Sequence, residues 1–280
     1  MSVSSTSIKQ CSLRFRGNGP VLIISDLHLN PSFPNTVRAF EDFLQGPSRQ
    51  ASALIILGDL FEYWVGDDML NADCPAQSKI STMMSVNEPF GIFARRITKK
   101  LAELAGAGVP IAVMPGNRDF LLGQYFAHMA SVTMLSDPCI ATFQNTRLVL
   151  SHGDALCLDD TRYLRYRRIA RSSLCQAFFL AMPLQWRIAI AERFRKHGTT
   201  KRAHSTICAD VDSGETRALL SAADAKILVH GHTHRPACHI HGEQIRWVLP
   251  DWEFDVDLPR GGYLQWDECG LRAISLSLPD

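Results

Sequence analysis

Seven residues in this sequence could ligate a divalent cation, and each comes soon after a short apolar run. Asp26 and His28 follow "VLII", Asp59 follows "ALIILG", Asn117 follows "IAVMPG", His152 follows "RLVLS", and His232 and His234 follow "KILVHG". One such residue would ordinarily be a turn or capping group. Seven of them on five runs ask for a common chemistry. Asp, Asn and His present oxygen and nitrogen without a thiolate, which suits Mn2+ or Fe2+, and seven ligands are more than one ion with open positions takes up. Two metal ions are therefore expected. Asp26 and His28 are two residues apart, as are His232 and His234, so each pair shares a side if its strand runs that far.

The elements that would position these groups read as strands ending in loops. Helical periodicity over residues 36–44 and 90–105 separates the first runs, the alternation of an α/β sheet whose chemistry gathers at the strand ends. Over residues 71–89 the periodicity fades and turn formers appear, which predicts a surface insertion or an ordinary connector. The last third, with "QIRWVLPDWEFDV", "GGYLQWDE" and "LRAISLSL", returns to alternation and Gly turns and is expected as antiparallel strands. A chain of 280 residues that is 46% apolar can bury one large core, so residues 1–280 are expected as a single domain, with residues 155–220 inserted in it. The net charge of +1 excludes a protein that coats nucleic acid or carries an acidic tail, and leaves local patches as the electrostatic sites. Eight cysteines without a CxxC pair read as reduced thiols. The first twenty residues lack an apolar signal-like core, and no segment approaches the ~20 apolar residues of a membrane span, so a soluble intracellular protein is expected.

Taken in order, "DLH" at 26–28, "GDLFE" at 58–62, "GNRD" at 116–119, "SHGD" at 151–154 and "GHTH" at 231–234 resemble the five signature blocks of the calcineurin-like metallophosphoesterases. The resemblance implies an α/β fold, a four-layer sandwich of two mixed sheets flanked by helices. It also implies ligand sets: Asp26, His28 and His234 on one ion, Asn117, His152 and His232 on the other, and Asp59 bridging both. A cation pair of this kind lowers the pKa of a shared water, aims it at phosphorus and neutralises charge on the phosphoryl oxygens.

Most of that family carries a histidine where this chain has Arg118, and there it protonates the leaving oxygen. A guanidinium cannot do so, because its pKa lies above ~12. Losing a general acid typically costs ~10²–10⁴-fold, unless the leaving group needs no proton. A phosphate monoester, with a second pKa of ~6, departs unprotonated and needs a cationic fork on its oxygens. Asn117 and Arg118 are therefore the expected catalytic pair, and Arg118 points to cleavage of a pyrophosphate. The alternative is an Arg118–Asp119 ion pair that only shapes the loop.

Between His152 and His230 the chain places nearly eighty residues, and from 162 to 202 eleven Arg and Lys face the single acid Glu192, a local net of about +10. The series Trp186, Ile190, Phe194 predicts helices apolar on one side and basic on the other. Such helices suit an anionic lipid or an anionic membrane surface. They do not suit nucleic acid, since the aromatics lie on a helical stripe and not on a strand platform for stacking bases. Extended to "GDLFEYWVGDD", "GNRDFLLG", "HGDALCLDD" and "HGHTHRP", the blocks resemble the lipid-nucleotide pyrophosphohydrolase branch over residues 20–238. That implies hydrolysis of a UDP-linked diacylated sugar to UMP and the sugar 1-phosphate in lipid A synthesis, with two Mn2+ per chain. It further implies water attack on the α-phosphate, a helical cap over the acyl chains, and a peripheral place on the cytoplasmic face of a Gram-negative inner membrane. Asn117, Arg118, Asp160 and His232 fall on its substrate contacts. Arg195, Lys201 and His204 do so in the cap, where "RKHGTTKRAHS" departs from the branch's pattern. A monomer is expected. A metallophosphoesterase acting on a soluble nucleotide or phosphoprotein, and a non-catalytic scaffold, stay open.

The other histidines are expected to be structural: His230 buried and hydrogen-bonded, and His128, His197, His239 and His241 at the surface or behind the ligands. Cys157 and Cys175 read as packing residues. Asp67 and Asp68 read either as partners of a ligating histidine or as turn formers.

Overall fold

The computed structural model describes residues 8–11, 15, 17–71, 88–143, 145–159, 161–202 and 210–277, apart from the side chains of 194–202. Lys9–Gln10 (β1) opens the described chain, and Val21–Ile24 (β2), Ala53–Leu57 (β3) and Ile111–Met114 (β4) are unbroken apolar runs, as parallel strands covered on both faces require. They pair in parallel, Ile23 with Ile55 and Ile55 with Ala112, and their side chains alternate between two cores. Leu22, Ile24, Leu54, Ile56 and Val113 face outward, against the helices Pro34–Gln45 (α1), Phe90–Gly106 (α2) and Gln124–Ala130 (α3). Val21, Ile23, Ala53, Ile55 and Met114 face inward, against Leu148, Leu150 and Val229 of a second sheet.

The first sheet is completed by Thr133–Met134 (β5) beside β4 and by a C-terminal antiparallel pair, Gly262–Asp267 (β11) and Gly270–Ser275 (β12), beside β2. The second sheet runs in the order β1, Cys139–Phe143 (β6), Thr146–Ser151 (β7), Ile227–His230 (β8), Gln244–Val248 (β10), Ala237–His241 (β9). Its outer face is covered by Ser213–Ala222 (α7), the last α-helix among the described residues, through Leu219 and Leu220 against Val149 and Leu228. Helices, sheet, sheet, helix make the four layers that the signature blocks implied, and the helices expected at 36–44 and 90–105 are α1 and α2.

Three helices follow β7: Thr161–Ala170 (α4), Ser173–Ala181 (α5) and Leu184–Arg202 (α6). Ser172 caps α5, its side chain accepting from Cys175 N–H. Leu184 and Ile188 pack α6 onto Val65 and Met69 of the core. The expected apolar stripe differs from the observed one. Trp186 is 64% exposed and Ile190 36%, whereas Arg187 is 3% exposed, because its guanidinium reaches Val65 O at 2.5 Å, Met182 O at 3.0 Å and the carboxylate of Asp68. Phe194 and most of the 71–89 segment lie outside the described residues.

The run "QIRWVLPDWEFDV" is a strand only to Val248, pairing in parallel with β8 and antiparallel with β9. Beyond it Pro250 offers no N–H to a ladder. Leu249 N–H then bonds His230 O and Trp252 N–H bonds Asp26 O, so this stretch runs between the ends of β8 and β2. Cys11, Cys139, Cys157, Cys175, Cys238 and Cys269 are not in disulfides; Cys74 and Cys208 lie outside the described residues.

Candidate dinuclear metal centre

All seven candidate ligands lie past the ends of their strands. β2 stops at Ile24 and β8 at His230, so a continuing strand is not what puts Asp26 beside His28 or His232 beside His234. Left-handed backbone does it instead: Asp26 (φ 53°), His28 (49°), Asp59 (53°), His232 (67°) and His234 (53°) all have positive φ. Each such residue costs ~1–3 kcal/mol unless the surroundings enforce it, and strain of this kind collects at functional sites. Here the loops are stitched together. Asp26 N–H bonds Gly58 O at 3.1 Å, His28 N–H bonds Asp59 O at 2.9 Å, and Gly231 N–H bonds His152 O at 3.0 Å. Two glycines permit the close approach: a Cβ on Gly116 would strike the Asp59 carboxylate, and one on Gly231 would strike Asp26 Oδ2 and Ser25 Oγ.

The donor atoms converge as two groups. His28 Nε2 and His234 Nε2 stand 3.4 Å apart, with Asp26 Oδ1 3.4 Å from His234 Nε2. Asp26 Oδ2 accepts from Ser25 Oγ–H and His232 N–H, while the buried Oδ1 accepts no hydrogen bond and points into the cluster. In the other group, Asn117 Oδ1 is 2.9 Å from both His152 Nε2 and His232 Nδ1. Asp59 lies between them, Oδ2 at 3.8 Å from His28 Nε2 and Oδ1 at 3.8 Å from His152 Nε2. His152 Nδ1 donates to Leu57 O, which fixes that proton and leaves Nε2 facing the centre.

The field is that of a cation site. Burial opposes charge on His152, yet Asp59, Asp26 and Asp154 push it up to about 9. His234 is pushed up to about 10 against its burial by Asp251 and Asp26, while burial and His152 take His232 down to about 4. Burial raises the Asp26 carboxyl, but His234, His152 and His28 outweigh it and hold it well below the usual range. Buried carboxylates that draw positive charge, a carboxylate oxygen without a hydrogen bond, and a thiolate-free nitrogen and oxygen donor set fit divalent metal ions.

A ring of supporting groups surrounds the donors, and part of it went unread in the sequence. Asp251 Oδ2 is 3.1 Å from His234 Nδ1 and is itself held by Arg260. It comes from the tail that read as core strand, and its one signal was a charge in the apolar run "VLPDWEF". Glu62 sits inside the "GDLFE" block and faces both His28 and Arg118. Asp119 does not pair with Arg118; it accepts N–H bonds from Gly116, Leu60 and Phe61, and burial together with Asp59 raises it to about 6. Nor do Asp67 and Asp68 touch a histidine: Asp67 takes Trp64 Nε1–H and the N–H groups of Gly123 and Phe126, and Asp68 pairs with Arg187. His230 is buried, bonded to Gly231 O and Arg246, and His128 and His241 are exposed. Asp160 and His204 lie outside the described residues, and Arg195 and Lys201 are placed on α6 by their backbone alone.

A cavity of about 470 Å³ opens from Asn117, Arg118 and Glu62. It runs between Trp64, Val65 and Phe120 of the core and Tyr166, Phe179 and Ile190 of α4–α6. Its walls are mostly apolar away from the metal end.

The chain matches the calcineurin-like phosphoesterase family over residues 19–236. Among curated proteins, the UDP-2,3-diacylglucosamine hydrolase of Ralstonia nicotianae is 43% identical over 268 residues, covering 92% of this chain and 93% of that one. The protein of the same name from Aromatoleum aromaticum is 42% identical, covering 89% and 94%, and that from Bordetella parapertussis 39%, covering 92% and 95%. With strand-end donors gathered into two groups and a match that spans every signature block, the chain belongs to the calcineurin-like phosphoesterase family, alongside the UDP-2,3-diacylglucosamine hydrolases.

Proposed function

We propose that this protein hydrolyses the pyrophosphate bond of UDP-2,3-diacylglucosamine, releasing UMP and the diacylated sugar 1-phosphate in lipid A synthesis. The cavity carries the reading: one end is polar and holds Arg118, and the rest is an apolar slot of the sort that takes acyl chains. A soluble nucleotide would leave that slot unfilled, and a scaffold would not need all seven donors.

Asp26, His28 and His234 would hold one ion, Asn117, His152 and His232 the other, and Asp59 both, with two Mn2+ the occupants this nitrogen and oxygen set suits. When bound, the pair supplies an activated water and takes up charge on the phosphoryl oxygens. The water oxygen joins the uridine-bearing α-phosphorus, and the bond from that phosphorus to the bridging oxygen breaks. The bridging oxygen leaves with the sugar phosphate, a monoester with a second pKa of ~6 that departs without a proton. Arg118, 27% exposed at the polar end of the cavity, meets that leaving phosphate as a permanent cation. Asn117 and His232 would contact the substrate as well as a metal ion. Asp160, Arg195, Lys201 and His204 would complete the contacts from the cap.

No single described helix is long and apolar enough to cross a membrane. α4–α6 nevertheless present Leu174 (84% exposed), Phe178 (75%) and Trp186 to solvent, with Arg162, Arg165 and Arg168 exposed nearby. Exposed apolar side chains on helices that also expose arginines suit peripheral attachment to the anionic cytoplasmic face of the inner membrane, where the substrate resides. The test is turnover with Mn2+ of the diacylated UDP-sugar against an unacylated, water-soluble UDP-sugar. A preference of at least ~100-fold in kcat/KM is expected for the first, and equal rates would contradict the assignment.

A further inference from the structure

Glu62 is an acid that the reaction described above does not use. Its carboxylate is buried in the loop after β3, and its two oxygens face different parts of the site. Oε2 lies 3.3 Å from His28 Nδ1, within ion-pair reach though off the line of a hydrogen bond, and Oε1 lies 3.7 Å from Arg118 Nη1. The backbone leaves it little choice. Glu62 N–H bonds Leu29 O, next to His28, and Trp64 N–H bonds Arg118 O, so the loops after β2, β3 and β4 close around this one side chain. Burying a carboxylate is costly unless it is paired, so a glutamate here has to be held by the imidazole and the guanidinium it faces.

Each contact has a chemical consequence. A carboxylate behind His28 favours the tautomer with its proton on Nδ1 and leaves the lone pair on Nε2, the atom that faces His234 and Asp26. A carboxylate beside Arg118 holds one arm of the fork and leaves the remaining N–H groups for a phosphate. Among the described residues no other acid is placed to do both: Asp119 is taken up by three backbone N–H groups, and Asp251 stands behind His234.

We propose that Glu62 is a positioning residue that couples the His28 side of the metal centre to Arg118, so that one carboxylate sets both a ligand and the phosphate-binding cation. This rests on the reading of the site as a dinuclear pyrophosphohydrolase, and the experiment separates the two. Metal-free wild type and Glu62→Gln are titrated with Co2+, followed by visible absorption and calorimetry, with a circular-dichroism melt confirming that the variant folds. Wild type should bind two ions; a wild type that binds fewer removes the reading on which the proposal rests. Glu62→Gln should bind one of the two ions ~10–100-fold more weakly and the other as before. Affinities equal to wild type for both ions overturn the proposal. In kcat/KM, the effects of Glu62→Gln and Arg118→Ala should fall short of multiplying in the double variant, because the first already releases Arg118. Strictly multiplicative effects overturn the coupling. Should Glu62→Gln fail to fold, Glu62→Asp keeps the charge and shortens the reach by one methylene. Either the metal affinity or the Arg118 coupling should then fall, and retention of both overturns the proposal.

Discussion

A guanidinium in place of a proton donor constrains what can leave from this site. Arg118 lines the cavity with its side chain and binds Asp59 Oδ1 through its N–H at 2.8 Å, so the loop is held by backbone while the fork stays available. Arg118→His should lower kcat/KM on the pyrophosphate substrate by about one to two orders of magnitude, the worth of charge-assisted hydrogen bonds of ~1.5–3 kcal/mol each. It should lower the rate on an aryl phosphodiester less, and comparing the two substrates for both proteins checks this. Full activity of the variant on the pyrophosphate would leave Arg118 a structural residue. At this scale the sequence was legible wherever a candidate ligand directly follows an apolar run, as at Asp59 or His152. Asp251 was hidden because a lone charge in "VLPDWEF" does not say that the loop carrying it from the second sheet to the first passes beside His234. The same limit applies to the geometry of Asp26 and His28, which follows from left-handed backbone that no hydrophobic period encodes.

The helices α4–α6 are tied to the core by buried ion pairs. Asp154 accepts from Tyr163 Oη–H at 2.5 Å and from Arg167 Nε–H at 2.8 Å, and Arg171 donates to Gly116 O at 2.8 Å, one residue before Asn117. Arg187 joins α6 to Asp68 and Val65 O on the core side and to Met182 O at the end of α5. Replacing Arg187 by alanine leaves those carbonyls without their donor and should cost about 1–3 kcal/mol, with Asp68 left half-exposed to water and needing no rescue. A thermal melt should show the loss, and KM for the diacylated substrate should rise while metal affinity stays at the wild-type value. An unchanged KM would mean that α6 does not form a wall of the binding slot. The basic composition of this stretch was plain in the sequence, but the direction of each charge was not. Arg167, Arg171 and Arg187 turn inward because Asp154, Asp137 and Asp68 await them, partners from 13 to 119 residues away that lie beyond the helices themselves.

Across the whole molecule, four layers hold the chemistry on the strand ends of both sheets, and the apolar tips of α5 and α6 extend beyond it. This architecture was the most legible part of the sequence, since buried parallel strands such as "ALIIL" have no polar face to misread. If those tips dip into a bilayer, replacing Leu174, Phe178 and Trp186 together by glutamate should abolish cosedimentation with vesicles containing anionic phospholipid. Binding by the wild type should weaken steeply as salt rises. Retention of vesicle binding by the triple variant would place the contact elsewhere. Water attack on the uridine-bearing phosphorus of a diacylated UDP-sugar at a two-metal centre leaves an isotopic trace. Turnover of UDP-2,3-diacylglucosamine in ¹⁸O-labelled water with Mn2+, followed by mass spectrometry of both products, reads it. One labelled oxygen is expected in UMP and none in the diacylated sugar 1-phosphate; label in the sugar phosphate, or no turnover by a protein with both ions bound, would rule this chemistry out.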